Sequence, residues 1–362
     1  MYKKYAKLLV NYSLGLKKGQ KLLISSTYLA EPLVREVYRE ALLAKAHPET
    51  MISLNGLNRV LFNYGDPVQL GHVSPLYRYA VERYDAFLTV RAPFNLKELQ
   101  GIEAEKKRIA NEAQAPVKAS FMKRSSMGKL TWTLCEFPTE AQAQESGMSR
   151  EEYERFVFSA CYLDDDDPER QWNGLRERQQ SIVAFLNGKQ SIRFVARDTD
   201  ITFSTRNRRW INSDGHHNMP SGEVFTSPVE TSVEGVVRFS YPGIFMGEEI
   251  ENVSLEVHHG EVTGWDADKG RRLLDSILLI PGMKHFGEAA IGTNAGIARF
   301  TKNMLFDEKM GGTAHMALGA SYGETGGKNK SAVHWDLLLD LKEQGEIYAD
   351  GELIYRKGSF II

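Results

Sequence analysis

The apolar residues of this chain change their period near residue 190, and that change limits the possible folds more than any single motif. Before it, helix-spaced stripes alternate with short apolar runs. Tyr5, Leu8, Leu9, Tyr12 and Leu16 share one face of a first helix, KLLISS (21–26) reads as a buried strand, and EPLVREVYREALLAKA repeats the helical stripe until Pro48. TMISLNG and AFLTVRA (86–92) read as further strands, LYRYAVERY and residues 94–113 as helices, LTWTLCEF (130–137) as a strand, and Pro138-Thr139 as a helix start. Strands joined through helices predict parallel pairing with right-handed crossovers.

Past a helix that ends at Gly188, the period becomes two. SIRFVARDTDITFST, EGVVRFSYP and NVSLEVHHGEVTGW alternate apolar and polar residues, the last with a hairpin turn at His259-Gly260. The expected fold is an α/β N-terminal domain (1–190) followed by a β-rich α+β C-terminal domain (191–362). No internal repeat or low-complexity tract interrupts either.

A chain of 362 residues has room for two domains. A formal net charge of -2 gives no reason to seek phosphate backbones or anionic membranes. The two cysteines, Cys135 and Cys161, have neither metal-site nor disulfide-framework spacing and read as reduced thiols of a cytoplasmic protein. Early lysines precede Asn11, Tyr12 and Ser13, which break any apolar core of a secretory leader. No run approaches the roughly 20 apolar residues of a membrane span.

Several suggestive features dissolve on inspection. DDDDPER (164–170) lacks the alternating ligands and glycine of a calcium loop and suits a helix start. ETGGKNKS does not match a phosphate-binding loop. The pairs His216-His217 and His258-His259 are adjacent residues, which point to opposite sides of a strand and do not readily share one metal.

The segment SAVHWDLLLDL is harder to place. His334 and Asp336 either open a helix, with the aspartate at its positive end, or deliver two ligands to one cation. His315, in GGTAHMALG, is either a core histidine or a ligand. Glu223 in MPSGEVFTSP and Glu288 in HFGEAAIGTN are carboxylates beside glycine in apolar stretches, each either salt-bridged or metal-bound. Together, two imidazoles and three carboxylates make the inventory of a two-metal hydrolytic centre, with ligand types suited to Zn, Co or Mn.

The blocks MPSGEVFTSPVE, GEAAIGTNAGI, NMLFDEKMGGTAHMALG and YGETGGKNKSAVHWD, with the N-terminal YAKLLVNYSLGLKKGQKLLI and AKAHPE, strongly resemble the aminopeptidase T / aminopeptidase S family of two-metal metallo-aminopeptidases. The resemblance spans essentially the whole chain. It implies metal ligands at Glu223, Glu288, His315, His334 and Asp336, with Glu288 bridging two divalent ions. It also implies a catalytic Tyr322, although the family commonly has proline after that tyrosine where this chain has Gly323. The activity it implies is release of N-terminal residues from short peptides by metal-hydroxide attack on the first peptide bond, in a cytoplasmic homodimer with no nucleic-acid or membrane partner. The alternatives are a weak or inactive peptide-binding homologue and a single-metal hydrolase. Glu324, close to Tyr322, is a proton-shuttle candidate outside the catalytic set. The expected structure around the HWD triplet is a pair of ligands at the point where LLLDL starts a packed helix, with Trp335 as a packing residue.

Overall fold

The computed structural model describes residues 1–362, which divide into two compact units. The first comprises Met1–Glu169 and Gly215–Pro220, the second Arg170–Asp214 and Ser221–Ile362.

The first unit is built on a five-stranded parallel sheet. Its strands run His47–Ser53, Lys21–Thr27, Ala86–Arg91, Thr131–Glu136 and Asn218–Met219 in spatial order. Each neighbouring pair is parallel. The helix Glu31–Leu43 makes the first crossover and buries Leu33, Val34, Val37 and Ala41, the stripe visible in the sequence. Leu23, Phe87 and Leu130 pack with Ala80, Val81, Tyr84 and Val117 on one side of this sheet.

Two elements differ from the sequence expectation. The helix placed over 94–113 runs from Ala104 to Ser126, with Pro116 in its interior. The preceding residues turn instead, with the Asn95 side chain accepting from the Lys97 amide and Gly101 at φ +75°. The strand read as TMISLNG begins earlier, at His47, and includes Pro48. It lies at the sheet edge, where a residue without an N–H is tolerated.

In the second unit the helix Pro168–Leu186, which belongs to it from Arg170 on, buries Val183 and Leu186 against two antiparallel sheets. The larger sheet has eight strands, and its first two in sequence, Ser191–Ala196 and Thr199–Ser204, begin where the period changes. The hairpin Ser254–His258/Glu261–Asp266 turns through His259 (φ +50°) and Gly260 (φ +80°), both left-handed. A side chain at Gly260 would meet the Glu230 carbonyl at 1.7 Å, so glycine is required there. The protein thus joins an α/β parallel-sheet unit to a β-rich antiparallel one, as the periodicity predicts. No helix is long and apolar enough to cross a membrane.

The smaller sheet positions the site. Its order is His334–Asp340, Thr313–Gly319, Phe286–Gly292, Glu223–Thr226, Ile211–Ser213, all antiparallel. One face presents Val224, Ala289, Ile291, Ala314, Met316, Leu318, Trp335, Leu337 and Leu339 to the hydrophobic core. Strand side chains alternate, so the residues between these face the opposite way. LLLDL is therefore the continuation of a strand and not a helix start. A short apolar run fits either period, and here pairing with the neighbouring strand Thr313–Gly319 decides the matter.

Replacing Ile291 by alanine empties a fully buried position on the core face. It should destabilise the second unit by about 2–5 kcal/mol in denaturant unfolding. A loss under about 1 kcal/mol would mean this face is not a close-packed core.

Candidate metal centre

The register of the four longer strands brings five side chains to one face. Glu223 pairs with Gly292, Ala290 with His315, Glu288 with Ala317, Ala317 with Asp336 and Gly319 with His334. Directly opposed residues point the same way, so every one of these positions lies on the face turned from the core. The residues interleaved among the polar groups are Ala290, Gly292, Ala317 and Gly319. Their small size leaves room for the long side chains to converge.

Glu223, Glu288 and His315 are 6%, 3% and 1% exposed. His315 Nε2 lies 3.6 Å from Glu223 Oε2, 3.8 Å from Glu288 Oε1 and 4.0 Å from Asp336 Oδ1. His334 Nε2 lies 2.9 Å from Glu288 Oε2 and 3.1 Å from Asp336 Oδ1. The two oxygens of Glu288 thus address two different imidazoles. His334 Nδ1 is 2.8 Å from the Ala320 carbonyl, which can only accept, so the proton belongs on Nδ1 and Nε2 is turned to the carboxylates.

Ligand atoms fall into three overlapping groups, each within 4.8 Å: Glu223–Glu288–His315, Glu288–His334–Asp336 and Glu308–His315–Asp336. The first two share Glu288. Glu223 Oε2 is buried without a hydrogen-bond partner, as is His315 Nδ1. An unsatisfied buried carboxylate oxygen in a ring of oxygen and imidazole donors fits a divalent cation, and the donor chemistry suits zinc, cobalt or manganese.

The electrostatics are those of a crowded anionic site. Burial alone would lower the His315 pKa, but hydrogen bonding to Glu288 and the charges of Glu288, Glu223 and Asp336 raise it to about 9. For His334, burial is outweighed by Asp336 and Glu288, which raise its pKa to about 12. Burial opposes ionisation of Asp336, yet His334 and His315 hold it down at about 2. Glu288 is likewise lowered against its burial by the two histidines, whereas burial leaves Glu223 raised. The donors are thus charged groups gathered where charge is expensive.

Tyr322, partly exposed, stands at the rim with its ring 5.0 Å from that of His334 and 5.5 Å from that of Phe225. Desolvation, then the surrounding carboxylates, push its phenol up, so its hydroxyl remains a donor. Glu324 is exposed and belongs to none of the three ligand groups. Gly323 has φ outside the left-handed region and a Cβ there would meet nothing within 4 Å, so the position does not demand glycine.

Glu308 and Lys309 were not singled out from the sequence. They follow the short helix Met304–Asp307. Lys309 is 0% exposed, with Nζ 3.5 Å from Glu223 Oε1 and in contact with the Glu308 carboxylate. Burial raises the Glu308 carboxyl to about 7, against the lowering effect of Lys309. In FDEKMGG these residues look like an ordinary surface charge run, and nothing in the sequence marks Lys309 as buried.

One further network fixes Glu223 from behind. The fully buried Gln179 donates to the carbonyls of Ser213 and Glu223 and accepts from Thr293. Beside it, Gly222 at φ +117° lies so close to Asn294 that a Cβ would meet its Cβ at 2.7 Å. The glycine before Glu223 is thus a requirement of close approach.

Known proteins are similar to this chain along nearly its whole length. The sequence is 28% identical over 408 residues to Aminopeptidase 2 of Geobacillus stearothermophilus, covering 99% of this chain and 97% of that one. It is 27% identical over 422 residues to Aminopeptidase T of Thermus aquaticus, covering 99% and 98%. The solved structure of wild-type AmpT from Thermus thermophilus matches with a TM-score of 0.86 at 25% identity, over 100% of this chain and 99% of that chain. Residues 1–360 match the family described as thermophilic metalloprotease (M29), and the chain belongs to that family.

Proposed function

We propose that this M29 metallo-aminopeptidase releases N-terminal residues from short peptides at a centre of two divalent cations. Glu223, Glu288 and His315 would hold one, and Glu288, His334 and Asp336 the other. The observation that supports this most directly is the divided Glu288 carboxylate, with one oxygen toward His315 and the other toward His334. A single-cation site would not need that division. Cations so held supply Lewis acidity to a carbonyl and acidify water.

The protein's own groups then have separate tasks. Tyr322, a protonated phenol at the rim, donates to the carbonyl oxygen as negative charge develops on it. Glu308 lies outside both proposed ligand sets but within reach of His315 and Asp336, and it is the carboxyl left to move a proton toward the leaving amine. A free, uncharged α-amine is a nitrogen donor that a cation so held would take, which would restrict cleavage to the first peptide bond. The homodimer and cytoplasmic location implied by the resemblance belong to the same reading.

Leucine or phenylalanine anilides with a free amine should be hydrolysed, with activity lost on chelation and restored by Co, Zn or Mn. N-acetylation of the same substrate should slow hydrolysis at least about a hundredfold, the size of a lost charged or oriented contact. Equal rates for the blocked and free substrates would contradict an aminopeptidase.

Tyr322→Phe removes one oxyanion donor and should lower kcat about 10²- to 10³-fold with cation content unchanged. An unchanged kcat would remove Tyr322 from the mechanism. Finally, both imidazoles hold protons strongly in the cation-free protein and must lose them to ligate. Cation affinity should therefore weaken as pH falls from about 8 to about 6, by roughly tenfold per pH unit for each proton displaced. Calorimetric affinities independent of pH would contradict this assignment of ligands.

A further inference from the structure

The mechanism above leaves Lys309 without a task, yet it is a wholly buried lysine at the centre of the site. An ammonium is taken out of water only at a large penalty, and structures rarely bury one without a reason. Its surroundings supply the reason. Glu223, Glu288, Glu308 and Asp336 are four carboxylates gathered on one face of a sheet and the segment beside it. Lys309 is the lysine that pairs with them, contacting Glu308 and lying 3.5 Å from Glu223 Oε1.

The position of Lys309 in the chain fixes this arrangement. The helix Met304–Asp307 is capped by Asn303, whose side chain accepts from the Leu305 amide. Asp307 accepts from both the amide and the hydroxyl of Thr301, which ties down the loop entering that helix. Met310 and Gly311 then lead into the His315 strand, with the Asn294 amide donating to the Lys309 carbonyl and the Gly311 amide to the Asn294 carbonyl. Lys309 is thus held by its own backbone against the loop that supports Gly222, and its side chain has little freedom to leave.

We propose that Lys309 is a positioning residue, an internal counter-cation that claims the Glu308 carboxylate and thereby keeps it out of the metal shell while aligning Glu223. Two consequences follow from charge and geometry. Before any cation arrives, Lys309 offsets repulsion among the carboxylates and keeps the second unit folded. Once two divalent cations are bound, four carboxylates and one ammonium leave the centre with one surplus positive charge, which favours an oxyanion. The inference rests on the two-cation reading, but its first consequence concerns the cation-free protein alone.

The test compares wild type, K309M, K309R, E308Q and the double variant K309M/E308Q as full chains. Thermal unfolding is followed once with excess chelator and once with saturating zinc. K309M should lower the midpoint much more in chelator than in zinc, and adding E308Q should restore most of the loss, because the released carboxylate is then neutral. K309R should stay near wild type. In competition with a chromophoric chelator, K309M should bind zinc at least tenfold more tightly than wild type, since Glu308 is freed to ligate and a positive charge is gone.

Equal losses for K309M in chelator and in zinc, or no recovery in the double variant, would reduce Lys309 to core filling and overturn the proposal. So would unchanged or weaker zinc binding by K309M. If K309M does not fold, the double variant decides: its recovery supports the proposal and its failure ends it. None of these measurements reads peptide hydrolysis, so a protein inactive on every peptide would leave the proposal standing. Zinc failing to bind wild type would instead remove the two-cation reading, while the chelator arm still judged Lys309.

Discussion

The mutual repulsion of buried carboxylates is the constraint around which the second unit is organised. Four acidic side chains share a small volume almost closed to water, where each charge is costly unless neutralised. The surrounding protein answers this in two ways. It brings imidazoles and one lysine into the cluster, and it leaves a carboxylate oxygen and a ring nitrogen unsatisfied. Such an arrangement is poor as structure and well suited to cations. The stability that the site withholds comes from the other face of the same sheet, where aliphatic and aromatic residues pack in alternate positions.

Antiparallel pairing makes this two-faced design possible. Glu288, His315 and the His334–Asp336 pair lie far apart in sequence, but strand register lines them up on neighbouring strands to within a residue or two. Because the side-chain period is two, a slip of one residue in the register would bury these polar groups in the core and turn Met316 or Leu337 toward the site. Interdigitated packing of the core face therefore also enforces the geometry of the centre. Behind Glu223, Gln179 and the glycine pressed against Asn294 fix the start of the strand Glu223–Thr226.

Much of this was legible in the sequence, and the failures have physical causes. The change of period near 190 reported the two classes of sheet, because a parallel sheet covered by helices and an antiparallel sheet with one apolar face impose different patterns. Glu223, Glu288 and His315 stood out because each is a polar group in an apolar stretch with glycine near, and the structure brings them to one face. His334 and Asp336 could be read two ways, since LLLDL fits a helix start or a strand. As a strand, their spacing of two puts both on one side and Trp335 on the other, where its indole N–H donates to the Ile244 carbonyl. Glu308 and Lys309 were missed because adjacent opposite charges are common on surfaces. Only the fold of residues 293–311 shows that Lys309 is buried and holds the half-buried Glu308.

The account stands on the shared carboxylate of Glu288, and elemental analysis of purified protein tests it most directly. Wild type reconstituted with zinc or cobalt and freed of excess metal should hold two cations per chain. Glu288→Gln, which keeps the shape but removes the shared charge, should hold one or none while remaining folded. No bound cation in wild type, or two in Glu288→Gln, would contradict the account.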